Sequence, residues 1–306
     1  MTSSSVSGTA GRVTAESASS PMAGIAWMVL ANLVFVTQDA TTRVLTRSYP
    51  VIEVAWGRFT VHLIVAILLI GWHNPALFRS ARPGLQLLRS GLLCALTLMS
   101  TVCLKYLPFV DFSAIMTVIP VIITALSVPI LHERVGWRRW VAVMVGLAGA
   151  LTIIGPGVGV GTLDLQWIYL LPFVAATTSA CYQIATRLLK GADPAPTTFF
   201  FTGIVGTAVL SALLPFQWVT PTPLHGAMMV MLGVMGAFSH YCIIRAFLAA
   251  QASTVAPFNY TNLVWAMMFG MFVFQEMPSG TTLAGAAMIT AAGLYIIARE
   301  RRRAQG

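Results

Sequence analysis

Ten apolar stretches run through the chain, each close to the ~20 residues a helix needs to cross the hydrocarbon of a bilayer. They lie near 22–41, 51–71, 85–106, 110–131, 137–155, 166–187, 197–215, 224–247, 252–274 and 281–299. Hydrocarbon offers no water to backbone amides, so such stretches must satisfy their own hydrogen bonds, and a helix does so. Only 9% of the 306 residues are charged and 57% are hydrophobic, whereas a soluble domain carries about 25% charge. A water-soluble core is therefore excluded. The expected class is an all-α polytopic membrane protein with ten transmembrane helices and the bilayer as its first partner.

The chain also repeats itself. Lys105, Asp111 and Ser113 recur as Arg245, Gln251 and Ser253 at a spacing of 140, and Glu133 and Ile154 recur as Glu276 and Ile297 at 143. Upstream, QDATTRVL (38–45) matches YQIATRLL (182–189) at 144. The expected organisation is a disordered tail over 1–21, a first repeat over 22–155, a linker over 156–165, a second repeat over 166–299 and a basic tail over 300–306. Each repeat holds five spans, and an odd number sends the second repeat into the membrane from the opposite side. The repeats are thus expected to be inverted, the architecture of secondary transporters whose site alternately faces each compartment.

The net charge of +9 might suggest nucleic acid, but its distribution argues otherwise. With a cytoplasmic amino terminus, 14 of the 18 basic residues fall on the inside, Arg89 among them, and only Arg43, Arg47 and Lys105 outside, with Arg58 within a span. That bias sets orientation and predicts both termini cytoplasmic, in a multi-pass protein of the inner membrane. The tail lacks the apolar run of a cleaved signal. The four cysteines, all within spans, read as packing residues at no metal-like spacing. Neither cofactor nor metal is expected.

Ionisable groups inside a bilayer are costly and need a partner or a wet cavity. Arg58 in span two meets this condition, with His62 one turn on. It reads either as a ligand or gating charge for an anionic group, or as half of a clamp with Asp39 or Glu53. Other polar and aromatic groups gather on a few spans: Asn32 in the first, Tyr182 and Gln183 in the sixth, His240 and Tyr241 in the eighth, and Asn259, Tyr260, Asn262 and Trp265 in the ninth. They read either as interhelical hydrogen bonding or as the lining of a path for an amphipathic solute. Pro120 and Pro257 interrupt corresponding spans of the two halves, which marks sites of binding and gating. Small residues at Ala142, Gly146 and Ala150 and at Gly285, Ala287, Ala291 and Gly293 permit close helix approach, between halves or in a homodimer. The glycine-rich GPGVGVG at 155–161 lacks the Lys and Ser or Thr of a phosphate loop.

Gln38-Asp39-Ala40, Arg58, LKYLPFVDFSAI (104–115), HERVG (132–136), APFNYTNLVWA (256–266) and FQEMPSG (274–280) together resemble the drug/metabolite transporter superfamily, in its ten-helix branch with two EamA domains. The resemblance spans about Ala23 to Ala298. It implies two five-helix bundles around a central cavity lined by helices one, three, four, six, eight and nine. It implies substrates as varied as amino acids, nucleotide-like metabolites, vitamins, opine-type metallophores and osmolytes. Proton-coupled four-helix relatives use a Glu in mid-membrane of the first helix, where this chain has the non-titrating Asn32.

The function expected is a secondary transporter, importer or exporter, moving a small organic metabolite by alternating access. The alternatives are a membrane-embedded lipid-modifying enzyme and a lipid flippase. An enzyme would need paired acids, a metal cluster or an activated nucleophile at one membrane face, and the sequence offers none.

Overall fold

The computed structural model describes residues 21–70, 75–131, 137–154, 168–189, 192–250 and 256–305, and every regular element among them is helical. Residues 1–20, Glu133, the linker 156–165 and GPGVGVG lie outside the described residues, as does the side chain of Pro257.

Eleven α-helices are described: α1 (Pro21–Leu45), α2 (Val51–Ile70), α3 (Pro83–Tyr106), α4 (Phe109–Met116), α5 (Ile119–Leu131), α6 (Trp137–Ile154), α7 (Leu171–Leu188), α8 (Ala195–Leu213), α9 (Pro223–Ala249), α10 (Thr261–Phe272) and α11 (Gly280–Gln305). Proline sits at the first position of α1, α3 and α9, where its missing amide costs nothing. Thr222 caps α9 by accepting a hydrogen bond from His225 N at 3.3 Å. Helix α1 runs past the expected end at 41, through a polar segment in which Thr37, Thr41 and Thr42 donate to the carbonyls four residues back. Those bonds let hydroxyls enter the membrane at little cost. Helix α11 likewise continues beyond 299 through the arginine-rich end, where no Gly or Pro stops it.

Two of the ten expected spans are not single helices. The fourth breaks at Thr117–Val118 into α4 and α5, because Pro120, second in α5, has no amide to carry the ladder across. The ninth starts as a 3-10 turn, Ala256–Tyr260, before α10 begins. Among the described residues, seven helical segments are long and apolar enough to cross a membrane: 21–45, 51–69, 83–106, 109–130, 195–216, 223–243 and 280–298. The other three expected spans correspond to α6, whose apolar part is the shorter 140–153, to the polar α7, and to the truncated α10.

Packing follows the repeat. Helix α1 packs on α9 and α3 on α7; α2 packs on α9 and α8 on α3; α1 meets α10 and α7 meets α5. Exchanging the two halves turns each of these pairings into its companion. The pairings of α2 on α8, α6 on α11 and α4 on α10 map onto themselves. The molecule therefore has a pseudo-twofold plan, and nearly all of its major contacts join one half to the other.

Lipid tails are as apolar as leucine, so helices associate here by close fit rather than by hydrophobic expulsion. A Cβ on Gly149 of α6 would lie 2.8 Å from Gly285 O of α11, and one on Gly146 would lie 2.8 Å from Val121 Cγ2. The Gly149–Gly285 approach thus joins the two halves, while Gly146 packs within the first. Gly206 of α8 gives the same close access to the ring of Phe59 on α2. Cys94, Cys103 and Cys242 are buried in the bundle as free thiols.

Candidate functional site

Where the halves meet, five helices bring six polar side chains into one electrostatic neighbourhood. Helix α2 presents Arg58 and, one turn later, His62. Asp39 of α1 and Tyr182 of α7 are the charge neighbours of Arg58. His62 and His240 of α9 are neighbours of each other and of both Arg58 and Arg89, the latter on α3. Two guanidinium groups against one carboxylate leave the cluster cationic.

The two arginines are held very differently. Arg89 is buried, and its side chain is spoken for: Nε donates to Thr186 Oγ1 at 2.8 Å, Nη1 to Thr202 Oγ1 at 3.1 Å and to Thr198 O at 3.3 Å, and Nη2 to Tyr182 OH at 2.8 Å. Its guanidinium also lies 4.8 Å from the Tyr182 ring centroid. Arg89 is a rivet through α3, α7 and α8. Arg58, by contrast, makes no hydrogen bond or ion pair among the described residues, and neither does the carboxylate of Asp39. His240 has only the edge of Phe35 against its ring, at 5.7 Å. These three groups lie deep in the bundle and still keep accessible surface. In a membrane interior an unpaired charge with accessible surface faces water or a ligand.

The expected clamp between Arg58 and Glu53 is not formed. Glu53 is fully buried, and its Oε2 accepts a hydrogen bond from Val219 N at 3.1 Å. His62 is buried against Phe199, its ring 4.4 Å away and its Nε2 3.3 Å from the Phe199 carbonyl oxygen.

The other singled-out residues fall into three places. Asn32, buried in α1, donates to Phe258 O at 2.9 Å and to Thr261 Oγ1 at 3.1 Å, and so anchors the break that opens the ninth span. Tyr260, just after that break, is buried with its hydroxyl pressed onto Gly293 of α11, a fit that only glycine permits. Asn262 and Trp265 are half-buried on α10, whereas Asn259 is exposed. Tyr241 is also exposed, stacked with Phe238 and edge-on to Trp27, and Arg245 lies 5.5 Å from the Trp27 ring. Gln183 is exposed and makes only a 3.4 Å hydrogen bond to Ser179. Of the proposed path, Asp39, Arg58, Tyr182 and His240 come together; Asn259, Tyr241 and Gln183 do not join them.

One end of the bundle is locked by a device that no single motif announced. Arg43, at the end of α1, forms an ion pair with Glu276 and donates to Leu107 O at 2.7 Å. Glu276 Oε2 in turn accepts from Phe109 N at 2.7 Å. Phe274 lies beneath the Arg43 guanidinium, 4.8 Å away. Gln275, with φ of 57°, adopts the left-handed conformation, and the Glu276 amide beside it donates to Gly270 O at 2.8 Å. One acidic side chain thereby ties α1, the α3–α4 junction and the end of α10 together. At the opposite end Asp193 does a comparable task through neutral donors, Ser80 Oγ, Ala81 N and Gln86 Nε2. Desolvation opposes it, yet these hydrogen bonds and the charge of Arg82 hold the Asp193 carboxyl below its usual range.

An all-helical, duplicated bundle of apolar helices with free charges between its halves has the build of a multi-pass membrane protein with a polar site at its centre. Both halves, residues 22–155 and 166–299, match the EamA-like transporter family, and the chain belongs to that family. The S-adenosylmethionine uptake transporter of Rickettsia prowazekii is 29% identical over 281 residues, which are 91% of this chain and 94% of that protein. A riboflavin transporter of Rhizobium johnstonii is 28% identical over 285 residues, 92% of each chain. A pseudopaline exporter of Pseudomonas aeruginosa is 26% identical over 275 residues, 88% of this chain and 94% of that one. A solved crystal structure with 21% identity covers 92% of this chain and 99% of its own, with a TM-score of 0.62, and shares the fold. The protein is a small-metabolite transporter. The relatives' names give no support to a lipid-modifying enzyme or a flippase.

Proposed function

We propose that the protein is a secondary carrier of the inner membrane, with both termini cytoplasmic, that moves an organic metabolite by alternating access between two inverted repeats. The observation that carries this reading is the set of free polar groups, Asp39, Arg58 and His240, between helices of both halves. Arg58 and Asp39 hold the solute, Tyr182 borders it, and the Arg43–Glu276 lock is the gate on the periplasmic side. Proline breaks ahead of α5 and of α10 let the helices flanking the site bend. Nothing in this cycle needs a bound metal or cofactor, and the chain acts without catalysing a reaction on its cargo.

The relatives carry two kinds of chemistry: S-adenosylmethionine has a carboxylate, an ammonium and a sulfonium, and riboflavin has no ionised group at neutral pH. Unpaired charges of both signs support the first kind. The test is counterflow in proteoliposomes with labelled S-adenosylmethionine, riboflavin and metal-free pseudopaline. Accumulation of one label against its unlabelled form on the far side is expected. Failure to exchange any of the three, or any member of a wider metabolite panel, would remove the carrier reading.

A further inference from the structure

We infer that a cleft at the lock end of the bundle holds the phosphate of an anionic phospholipid headgroup, with Arg47 and Lys105 as its cations. This site lies outside the central one and does not depend on which solute is carried.

The α1–α2 turn over 46–51, Lys105 near the end of α3, and Gln217 and Val219 after α8 line a cleft of about 460 Å³. That is within the roughly 300–1,000 Å³ of clefts that hold small ligands. Both cations are exposed, and neither makes a hydrogen bond or ion pair among the described residues. What they touch are aromatic rings: Arg47 lies 5.9 Å from the Phe274 centroid, and Lys105 Nζ lies 5.6 Å from that of Tyr106. The described carboxylates of this end are engaged elsewhere. Glu53 is buried and accepts from Val219 N, Glu276 pairs with Arg43, and Asp111 accepts from Thr282 Oγ1 at 2.6 Å. The cleft therefore carries two cations and has no acid in its lining. Ser48 and Gln217 add neutral donors that have no protein partner among the described residues.

The convergence is selective. The sequence places three cations at this end, Arg43, Arg47 and Lys105. The lock uses the first, and the other two line the same cleft. Charge that served solubility alone would be scattered.

The neighbouring residues identify the source of the anion. Gln217 is flanked by Phe216 and Trp218, both exposed. Trp218 meets Trp56 edge-on at 6.1 Å, and Trp56 Nε1 donates to Ser211 Oγ at 2.9 Å. Exposed aromatic rings at the end of membrane helices sit at the level of lipid headgroups. A cationic cleft at that level faces phosphodiesters, and guanidinium and ammonium groups make their strong, charge-assisted hydrogen bonds to phosphate oxygens. A zwitterionic headgroup brings a cation of its own into a site that already holds two, so a lipid with net negative charge is favoured.

The experiment reconstitutes the full chain in vesicles of phosphatidylcholine and phosphatidylglycerol in equal parts, releases it into mild detergent, and weighs it with its retained lipid by native mass spectrometry. Expected is retention of phosphatidylglycerol over phosphatidylcholine by about 10-fold or more. Arg47→Gln combined with Lys105→Gln should bring that ratio close to parity, with an unchanged melting temperature in phosphatidylcholine alone. Arg138→Gln, which removes an exposed cation on α6, should leave the preference intact. A wild type without preference, a preference that survives the double substitution, or one that Arg138→Gln removes equally overturns the inference. Glycerophosphoglycerol, the same headgroup without its tails, should fail to displace the lipid. Displacement by it at matched concentration would make a soluble phosphate ester the ligand and overturn the membrane source.

Discussion

Arg58 and Arg89 both lie inside the helical bundle, and the contrast between them separates framework from function. Arg89 spends its guanidinium on four oxygens of α7 and α8. Arg58 spends its on none among the described residues. A buried cation with four of its five donors filled is a structural joint, whereas a half-buried cation with open donors is poised for something that comes and goes. The same membrane cost is met in one case by the protein and in the other by solvent or solute. What distinguishes the two is the facing helix: α7 and α8 turn hydroxyls toward Arg89, while no described side chain hydrogen-bonds to Arg58.

Substitutions should split along that line. The largest effect is expected from Arg89→Ala, which removes four hydrogen bonds, strands the Tyr182 hydroxyl and should cost on the order of 3 kcal/mol of stability. It would appear as a lower melting temperature and reduced yield from the membrane. Arg58→Ala should leave the melting temperature close to wild type while lowering transport about 30-fold, the equivalent of ~2 kcal/mol of lost charge-assisted bonding. If both variants lose stability equally, the contrast fails.

Next in size is Gly285→Val, which places a side chain against Gly149 and Ile153 where α6 and α11 touch. Overpacking of this kind costs roughly 1–3 kcal/mol, and detergent unfolding should show it without a change in solute selectivity. Arg43→Ala should weaken the lock on Glu276 by about 1 kcal/mol. Its readout is faster labelling of a cysteine placed at Ser113, just behind the lock, by an impermeant reagent. The smallest effect is expected at Asp193. Its carboxyl is held below the usual range, so its contribution to stability is complete above the unfolded value near pH 4 and fades as pH falls through the folded one. Asp193→Asn should therefore flatten the acid limb of a stability–pH profile, lowering stability slightly at neutral pH and leaving the acid end nearly unchanged.

Much of the plan is legible in the residues themselves. Apolar runs give the helices, the recurrence at about 140 positions gives the two halves, and Pro120 gives the break before α5, since a missing amide acts locally. Asp39 and Arg58 can be singled out because charge in an apolar run is rare. Arg89 is harder, because it lies near the start of its span behind Arg79 and Arg82 and reads as one more cytoplasmic cation. Its burial depends on how α7 and α8 cross α3; the signal was the row of polar residues at 182 and 186 and at 198 and 202, each pair one helical turn apart. The Arg43–Glu276 lock joins residues 233 positions apart, which no local pattern encodes. The repeat hints at it all the same, because Arg43 and Glu276 match Arg187 and Glu133 in the other half. The sequence leaves polar residues such as Asn259 and Gln183 undecided for the opposite reason. Composition places them on the right helices, and only the rotation of each helix decides which way they face.

The most direct measurement places a cysteine at Phe35, on the same helix as Asp39 and beside His240, in a chain whose four native cysteines have been replaced, and follows its labelling by an impermeant thiol reagent applied to each side of proteoliposomes in turn. The account predicts reaction from both sides and protection from both sides by the transported solute. A position 35 that reacts from one side only, or that the solute leaves unprotected, would contradict a site shared between the halves.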